Sequence, residues 1–393
     1  MRILFFAGPT YGLIFPLAPP AWAARSAGHD ILFTGPANTG DAVIGAGFPF
    51  TACAPELQMG DVMMVDRLGR RMGLPTDEGE MLAQMGGGFA RLAARCFDGL
   101  LDLVDRWQPD LIVGTTFHYG PALVAAARGI PWVAQGCELG LIEQLDAAAW
   151  AELRPELAAA GWAGCPEPAM LLDVCPPSLR APDATGRPVR FVPFNADAVA
   201  HPWMMEDDRP PRVCLTLGSR VAAGKVGGFE TLRRLVGSLC ATLPDPDAEV
   251  VVAATNEVVE ALRPLPRRVR AGWLPIDVLV RSCDVVVHHG GGNTMLACLA
   301  AGVPQVLLPY MVNNRVASRR LGAAGLAVVL EPGEDTDENV TAAVARVLSE
   351  PGFREAARRV AGEISALESP RELMPVLEQV AREGRRPVEV RLG

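Results

Sequence analysis

The sequence predicts an α/β protein built from two Rossmann-like domains that face a cleft. Three observations support this fold class. The chain has 393 residues, half of them hydrophobic, which is enough for two cores. Short apolar segments alternate with helical segments in two successive arrays, as in parallel sheets covered by helices. Between the arrays lies a polar segment, residues 201–212, that contains three prolines.

The first array begins at the N-terminus. Ile3–Ala7 is apolar throughout, which is typical of a strand buried on both faces. Gly8–Gly12 predicts a turn, and a helical segment then runs from Pro16 to Ala27 and stops at Gly28. The remaining predicted elements of this array are strands at Asp30–Thr34, Leu111–Gly114 and Pro131–Ala134, and a helix at Gly120–Arg128.

The second array has the same character and follows the polar segment. Its predicted strands are Val213–Leu217, Glu249–Ala254, Asp284–His288, Gln305–Leu308 and Ala327–Leu330. Its predicted helices are Phe229–Thr242, Asn293–Ala301, Val340–Ser349 and Phe353–Leu367, with a further helix near Glu372–Arg382. We therefore expect an N-terminal domain at 1–200, a linker at 201–212 and a C-terminal domain at 213–367. The helix and tail at 368–393 are expected to pack back towards the N-terminal domain.

The charge balance argues against nucleic acid as a partner, although it leaves a local basic patch open. Lysine and arginine number 36, aspartate and glutamate 45, so the net charge is −9 and no basic face for nucleic acid is expected. Lys225 is the one lysine. Because arginine makes up all the other basic residues, its frequency is weak evidence for arginine-specific chemistry.

The cysteines and the N-terminus indicate the compartment. Nine scattered cysteines without a C-x-x-C pair are typical of a reducing cytoplasm and predict neither a disulfide framework nor a metal site. The first apolar run is too short for a signal peptide, and no run is long enough to span a membrane. We expect a cytoplasmic protein without membrane association, and a homodimer stays open.

The most informative segment is a glycine turn at the end of a predicted strand. His288 and His289 end the strand, three glycines follow (Gly290, Gly291 and Gly292), and Asn293 and Thr294 open the next helix. Glycines let the backbone approach a ligand closely, and the N–H groups at a helix start attract anions. The segment therefore predicts an anion site, with a capped strand–helix turn as the alternative.

This turn, together with the AGVP string at residues 301–304, resembles the donor diphosphate signature of the family 1 glycosyltransferases with the GT-B fold. The resemblance covers nearly the whole chain and implies an inverting, metal-independent enzyme that uses a nucleotide sugar and no cofactor. It implies that His289 contacts the diphosphate, that Trp273 and the backbone of Leu274 border the nucleotide base, and that Ser219 and Arg220 contact phosphate and ribose.

Three further strings are similar to the urdamycin-type olivosyl C-glycosyltransferases of actinomycete aromatic polyketide pathways. They are AELRPEL at 151–157, DVCPPSL at 173–179 and GSRVA at 218–222. This subfamily resemblance implies a C-glycosidic product in antibiotic biosynthesis.

One departure from the wider family concerns the base. Many members carry a catalytic histidine after the first strand, and this chain has Leu13 there. Leucine accepts no proton, whereas a phenol ionises near pH 10 and its anion is nucleophilic at ring carbon. The departure favours a phenolic acceptor and fits the urdamycin-type enzymes, which also lack the histidine.

The replacement base is expected just beyond another strand, where open α/β sheets place their ligand-binding groups. Glu138 is our candidate, and a solvated loop carboxylate is the alternative. Glu143 and Asp146 are weaker candidates on the same loop. His118 also follows a strand; it is expected to line the acceptor pocket or to be a satisfied structural histidine.

A second departure concerns the sugar. The family's Asp-Gln pair, which binds sugar hydroxyls, is replaced by Asn313 and Asn314. A donor with fewer hydroxyls, such as a TDP-deoxyhexose, needs the lost carboxylate less. The alternative is that the asparagines only form a turn.

The acceptor is expected to be a small aromatic aglycone bound by the N-terminal domain. Six of the 13 methionines lie between residues 59 and 85, where flexible thioethers suit either a lid over a flat ligand or ordinary core packing. The glycines at 86–88 predict a hinge or close packing between helical segments. The residues expected to line the acceptor site are Thr10, Tyr11, Leu13, Met59, Met63, Met85 and His118.

The sequence thus predicts transfer of a deoxysugar from a TDP-sugar to an aromatic polyketide, with Glu138 accepting the ring proton. Two alternatives stay open. One is an O-glycosyltransferase that acts on a phenolic hydroxyl. The other is a non-catalytic relative that activates a partner enzyme.

Overall fold

The computed structural model describes all residues except 141, 163, 196–197, 219–227, 244 and 385–393. The chain divides into two compact units. The first contains residues 1–175 and 181–190 and the described residues from Glu368 onward. The second contains residues 176–180 and Phe191–Leu367. Each unit is built around one parallel sheet.

The first unit has a seven-stranded sheet in the order β3-β2-β1-β4-β5-β6-β7. Its strands are β1 Arg2–Phe6, β2 Asp30–Pro36, β3 Phe50–Ala54, β4 Leu111–Thr115, β5 Trp132–Gln135, β6 Met170–Asp173 and β7 Arg187–Pro188. The central strand β1 pairs Ile3 with Ile31 on one side and with Leu111 on the other. Its residues 3–6 are buried because helices cover both faces of the sheet.

The helices of the first unit connect these strands and cover the sheet. They are α1 Tyr11–Ile14, α2 Ala18–Ser26, α3 Gly40–Gly45, α4 Met59–Met64, α5 Glu78–Trp107, α6 Gly120–Arg128, α7 Glu143–Glu152, α8 Arg154–Ala159 and the C-terminal helix Met374–Glu383. Asp77 is the N-cap of helix α5, and its side chain accepts from the N–H of Glu80.

The triple glycine at 86–88 lies inside α5, not between helices. A β-carbon on Gly86 would lie 2.1 Å from the carbonyl oxygen of Leu145 in α7, and one on Gly88 would lie 2.3 Å from Sδ of Met63. The glycines therefore allow close packing of two helices against α5, and the hinge alternative is wrong.

The second unit has a six-stranded parallel sheet in the order β10-β9-β8-β11-β12-β13. Its strands are β8 Arg212–Thr216, β9 Glu249–Ala253, β10 Val269–Gly272, β11 Val285–His288, β12 Gln305–Leu307 and β13 Ala327–Val329. Its helices are α9 Gly228–Thr242, α10 Asn256–Ala261, α11 Ile276–Leu279, α12 Gly292–Ala301, α13 Val312–Ala323, α14 Asp337–Ser349 and α15 Pro351–Ala366; the C-terminal helix of the first unit is α16.

The unit boundary differs from the expected one. The first unit ends at Arg190, and residues 201–212 belong to the second unit rather than to a free linker. The side chain of Arg212 explains this, because it is fully buried, pairs with Glu249 at 2.7 Å and stacks on the Trp203 ring at 4.8 Å. The polar composition of residues 201–212 did not predict that Arg212 is packed in this way.

The chain returns to the first unit after α15. The backbone N–H of Arg190 donates to the carbonyl oxygen of Glu368 at 2.8 Å. Further along, Glu378 on α16 contacts His29 at 3.2 Å. Helix α16 is therefore part of the first unit's structure.

Candidate active site

The glycine turn connects β11 to α12 in the middle of the second unit's sheet. Gly290 has a φ of +81°, a left-handed conformation that glycine adopts without strain. Gly291 is the N-cap of the ten-residue helix α12, and no side chain caps it. The N–H groups of Gly292, Asn293 and Thr294 therefore point out of the helix start, where the helix dipole favours an anion.

The imidazole of His289 lies between two glycines. A β-carbon on Gly218, just after β8, would lie 2.5 Å from its Cε1, and one on Gly291 would lie 2.6 Å from its Nε2. Gly218 also has a left-handed φ of +69°. Only glycine at both positions leaves room for the ring, which the sequence pattern indicated for Gly291 but not for Gly218.

His288 lies behind the turn and is fully buried. Its Nδ1 accepts from the N–H of Gly290 at 3.1 Å, and its Nε2 lies 2.7 Å from Oε1 of Gln305. Burial lowers the pKa of His288 from its usual 6.5 to about 3. The N–H of Gly290 is thus already bonded, so this glycine contributes its conformation to the turn rather than a donor.

The two asparagines of α13 have different environments. Asn314 is buried, and its Nδ2 donates to the carbonyl oxygen of His289 at 3.2 Å. Asn313 is half-buried on the same first turn of the helix. Asn314 therefore supports the glycine turn, and of the two only Asn313 remains a candidate for contact with a sugar.

Trp273 and Leu274 follow β10 at the same sheet edge as the turn. Trp273 is half-buried, whereas the Leu274 side chain belongs to the core, so only the backbone of Leu274 is available to a ligand. Strand β10 is three positions from β11, which corresponds to about 14 Å across the sheet. Ser219 and Arg220 lie outside the described residues.

In the first unit, a short loop after β1 leads into α1, which contains Tyr11 and Leu13. Tyr11 is partly exposed and stacks on Phe15 with ring centroids 5.0 Å apart. Thr10 is half-buried at the N-cap of α1, and its hydroxyl makes no capping bond. Leu13 is 5% exposed and packs into the core.

His118 follows β4 and is almost completely buried. Its Nδ1 accepts from the backbone N–H of Thr115 at 3.0 Å, so the ring proton is on Nε2. Burial lowers the pKa of His118 to about 3, which leaves the ring neutral near pH 7. Nε2 has no hydrogen-bond partner among the described residues. His118 is therefore a donor and not a base.

Glu138 lies three residues beyond β5 and is half-buried. The adjacent Cys137 thiol has its pKa raised to about 12, first by burial and then by the negative charge of Glu138. Asp146 on α7 accepts from the Tyr119 hydroxyl at 2.5 Å, and its pKa is raised by burial. Glu143 is exposed at the start of α7. Among the three carboxylates, Glu138 is thus the one directly beyond a strand end.

The methionine segment packs on α5. Met59 and Met85 are buried in the core, and Met63 contacts α5 at Gly88. Arg91 of α5 is buried and donates from Nε to the carbonyl oxygen of Val62 at 2.9 Å. These contacts favour the packing interpretation of the methionines over that of a lid.

Two absences concern the described part of the chain. No group of three or more His, Cys, Asp or Glu side chains is arranged to hold a metal ion there. No helix among the described residues is long and apolar enough to cross a membrane.

The sequence matches two family profiles that together cover most of the chain. The N-terminal domain of the proteins similar to erythromycin biosynthesis protein CIII matches residues 22–218, and the corresponding C-terminal domain matches residues 237–380. The L-demethylnoviosyl transferase of Streptomyces niveus is 31% identical, with 92% of this chain and 94% of that protein covered. The aclacinomycin-T 2-deoxy-L-fucose transferase of Streptomyces galilaeus is 28% identical, with 98% and 97% covered.

A solved structure supports the same assignment. The glycosyltransferase SsfS6 of Streptomyces sp. SF2575, crystallised with thymidine diphosphate, is 37% identical and superimposes with a TM-score of 0.85 over 96% of this chain and 99% of that one. The predicted fold class of two Rossmann-like domains is confirmed, as is the prediction of a nucleotide-sugar-dependent transferase. The chain belongs to the erythromycin CIII-like family of GT-B glycosyltransferases from actinomycete polyketide pathways.

Proposed function

We propose that this glycosyltransferase moves a deoxysugar from a TDP-sugar to a phenolic aromatic polyketide and forms a C-glycosidic bond in antibiotic biosynthesis. Two similarities support a TDP-deoxysugar as the donor. SsfS6 was crystallised with thymidine diphosphate, and the relative from Streptomyces galilaeus is a 2-deoxy-L-fucose transferase. Asn313, in place of a carboxylate, suits a sugar with few hydroxyls.

The donor diphosphate is proposed to bind at the start of α12. His289 and the N–H groups of Gly292, Asn293 and Thr294 stabilise the negative charge that grows on the diphosphate as the anomeric C–O bond breaks. Trp273 borders the base about 14 Å away along the sheet edge, a span suited to an extended nucleoside diphosphate. No metal ion is required by this arrangement.

The acceptor is proposed to bind in the first unit near the loops that follow β1, β4 and β5. A ring carbon of the phenolate attacks the anomeric carbon from the face opposite the diphosphate, which leaves with the electron pair of the C–O bond. The proton on that ring carbon then passes to Glu138, and aromaticity is restored. His118, a neutral donor, binds an oxygen of the acceptor from its Nε2.

One observation carries the choice of acceptor. By the family resemblance, Leu13 takes the position of the histidine base that many members carry; its side chain is buried, and it lies in α1 directly after the loop that follows β1. The nearby His118 is neutral, with its proton on the ring nitrogen that faces this loop. Neither side chain can deprotonate an alcohol. An acceptor that ionises by itself, as a phenol does, removes the need for such a base.

The test is incubation of the purified enzyme with TDP-olivose and a panel of anthraquinone and angucyclinone aglycones. Mass spectrometry detects the product, and hot acid distinguishes the linkage. A C-glycoside survives acid. An acid-labile product would establish the O-linked alternative, and no product with any phenol would overturn the proposed acceptor class.

A further inference from the structure

The glycine turn is backed by a buried polar pair, His288 at the end of β11 and Gln305 at the start of β12. The two strands are neighbours in the sheet, and both side chains are fully buried. Buried polar side chains in otherwise apolar strands destabilise a core unless they are satisfied. Their contacts therefore indicate what the pair does.

The contacts determine a single tautomer of His288. The N–H of Gly290 can only donate, so Nδ1 must carry a lone pair and Nε2 must carry the proton. That proton is donated to Oε1 of Gln305 at 2.7 Å. The amide of Gln305 is oriented in turn by its Nε2, which donates to the carbonyl oxygen of Met295 in α12 at 3.5 Å.

This chain of contacts ends at the residues proposed to bind the diphosphate. The bond to His288 holds the N–H of Gly290 inward, and Gly290 has the left-handed conformation that reverses the backbone before α12. A β-carbon on Gly290 would lie 3.0 Å from Oγ of Ser318, so α13 closes the other side of the turn. A rotated or doubly protonated His288 would push Gly290 away.

We infer that His288 is a positioning residue for donor binding: its single tautomer, selected by Gln305, holds Gly290 so that His289 and the N–H groups at the start of α12 face the diphosphate. This inference rests on the proposed role of the turn in donor binding. His288 itself touches no substrate.

Gln305→Glu provides a readout that a merely structural role would not change. A carboxylate beside Nε2 still accepts its proton but stabilises the imidazolium, and an imidazolium carries a second proton on Nδ1 that opposes the N–H of Gly290. His289 is the other titratable group that acts on His288 in the structure. TDP affinity of Gln305→Glu, relative to the unmodified enzyme, should therefore fall as the pH is lowered, whereas Gln305→Met should show a constant ratio.

Two variants of His288 test its Nδ1 as the hydrogen-bond acceptor for the N–H of Gly290. His288→Leu removes it and leaves a buried N–H, so TDP should bind about tenfold more weakly or worse. His288→Asn places an amide oxygen near the former Nδ1 and should restore most of the affinity. Both are measured by calorimetry with TDP, and thermal denaturation confirms that each variant is folded.

His289→Ala distinguishes a failure of the proposed diphosphate site from a failure of the positioning role of His288. If it leaves TDP affinity unchanged, the turn is not the diphosphate site and the proposed function fails at that point. If it weakens TDP while the Gln305→Glu ratio is independent of pH, or while His288→Asn is no better than His288→Leu, the role of His288 is overturned and the site stands.

Discussion

Leu13 and His118 converge on one point beside Gly8: a β-carbon there would lie 2.6 Å from Cδ1 of the leucine and 2.9 Å from Nε2 of the histidine. An apolar side chain thus lies beside a neutral hydrogen-bond donor at the end of the first strand. The proposed acceptor class and its mode of binding depend on these two side chains.

The first prediction concerns His118. His118→Asn keeps an acceptor for the Thr115 N–H but lacks the Nε2 proton, so the KM for the acceptor should rise while the free energy of unfolding stays within about 1 kcal/mol. His118→Leu removes both groups and should lose about 1–3 kcal/mol of stability because the Thr115 N–H is left unsatisfied. Urea denaturation and steady-state kinetics measure the two effects. An unchanged acceptor KM in the asparagine variant would contradict the role of His118 as a donor to substrate.

The second prediction concerns stability below neutral pH. His118 and His288 have pKa values near 3 when folded and about 6.5 when unfolded. Between these values the unfolded chain binds more protons, so stability rises with pH and is lost on acidification from about 6.5 downward. Each histidine contributes a slope that approaches about 1.4 kcal/mol per pH unit. Denaturant titrations between pH 7.5 and 5 measure it, and His118→Asn should flatten the dependence of the first unit alone.

The third prediction separates the two proposed reaction groups. His289→Ala should lower kcat by about 100-fold or more, because donors to a developing anion contribute that much. Glu138→Gln should lower kcat severely if this carboxylate accepts the ring proton, whereas the exposed control Glu143→Gln should keep normal turnover. Single-turnover assays with saturating donor provide the comparison. Equal activity of the two glutamine variants would remove Glu138 from the mechanism.

The fourth prediction uses glycines as steric probes of the donor site. Gly218→Ala and Gly291→Ala each place a methyl group within 2.6 Å of the His289 ring, so the KM for the nucleotide sugar should rise at least about tenfold as the ring is displaced. The matched control is Gly237→Ala on α9, which meets nothing within 4 Å and should increase stability by up to about 1 kcal/mol. A normal KM in both site variants would show that the position of the ring is unimportant.

Local patterns predicted the parts of the fold in which sequence neighbours determine structure. Ile3–Phe6 and Val285–Val287 are continuous apolar runs, a pattern typical of parallel strands buried on both faces. The glycine turn was equally predictable from sequence, because a left-handed backbone conformation and a helix start require particular residues. Gly218 was missed as a partner of His289, since the two meet only through the pairing of β8 with β11.

The other wrong predictions also concern structure that depends on contacts between residues distant in sequence. Gly86–Gly88 is a poor helix sequence by propensity, yet it lies within α5 because α7 packs against it. Residues 201–212 suggested a linker by composition, but the burial of Arg212 depends on Glu249 and Trp203. Gln305 is an amide at the start of an otherwise apolar strand, a pattern that indicates a buried polar contact.

The return of the chain to the first unit has a consequence for synthesis on the ribosome. Helix α16, with Glu378 against His29, is made only after the whole of Phe191–Leu367. At about 5–20 residues per second, the nascent first unit waits roughly 10–35 s for its last helix. During that interval the surface that α16 will cover stays open to solvent and to chaperones, and the two units complete their folding in the reverse of the order in which they begin.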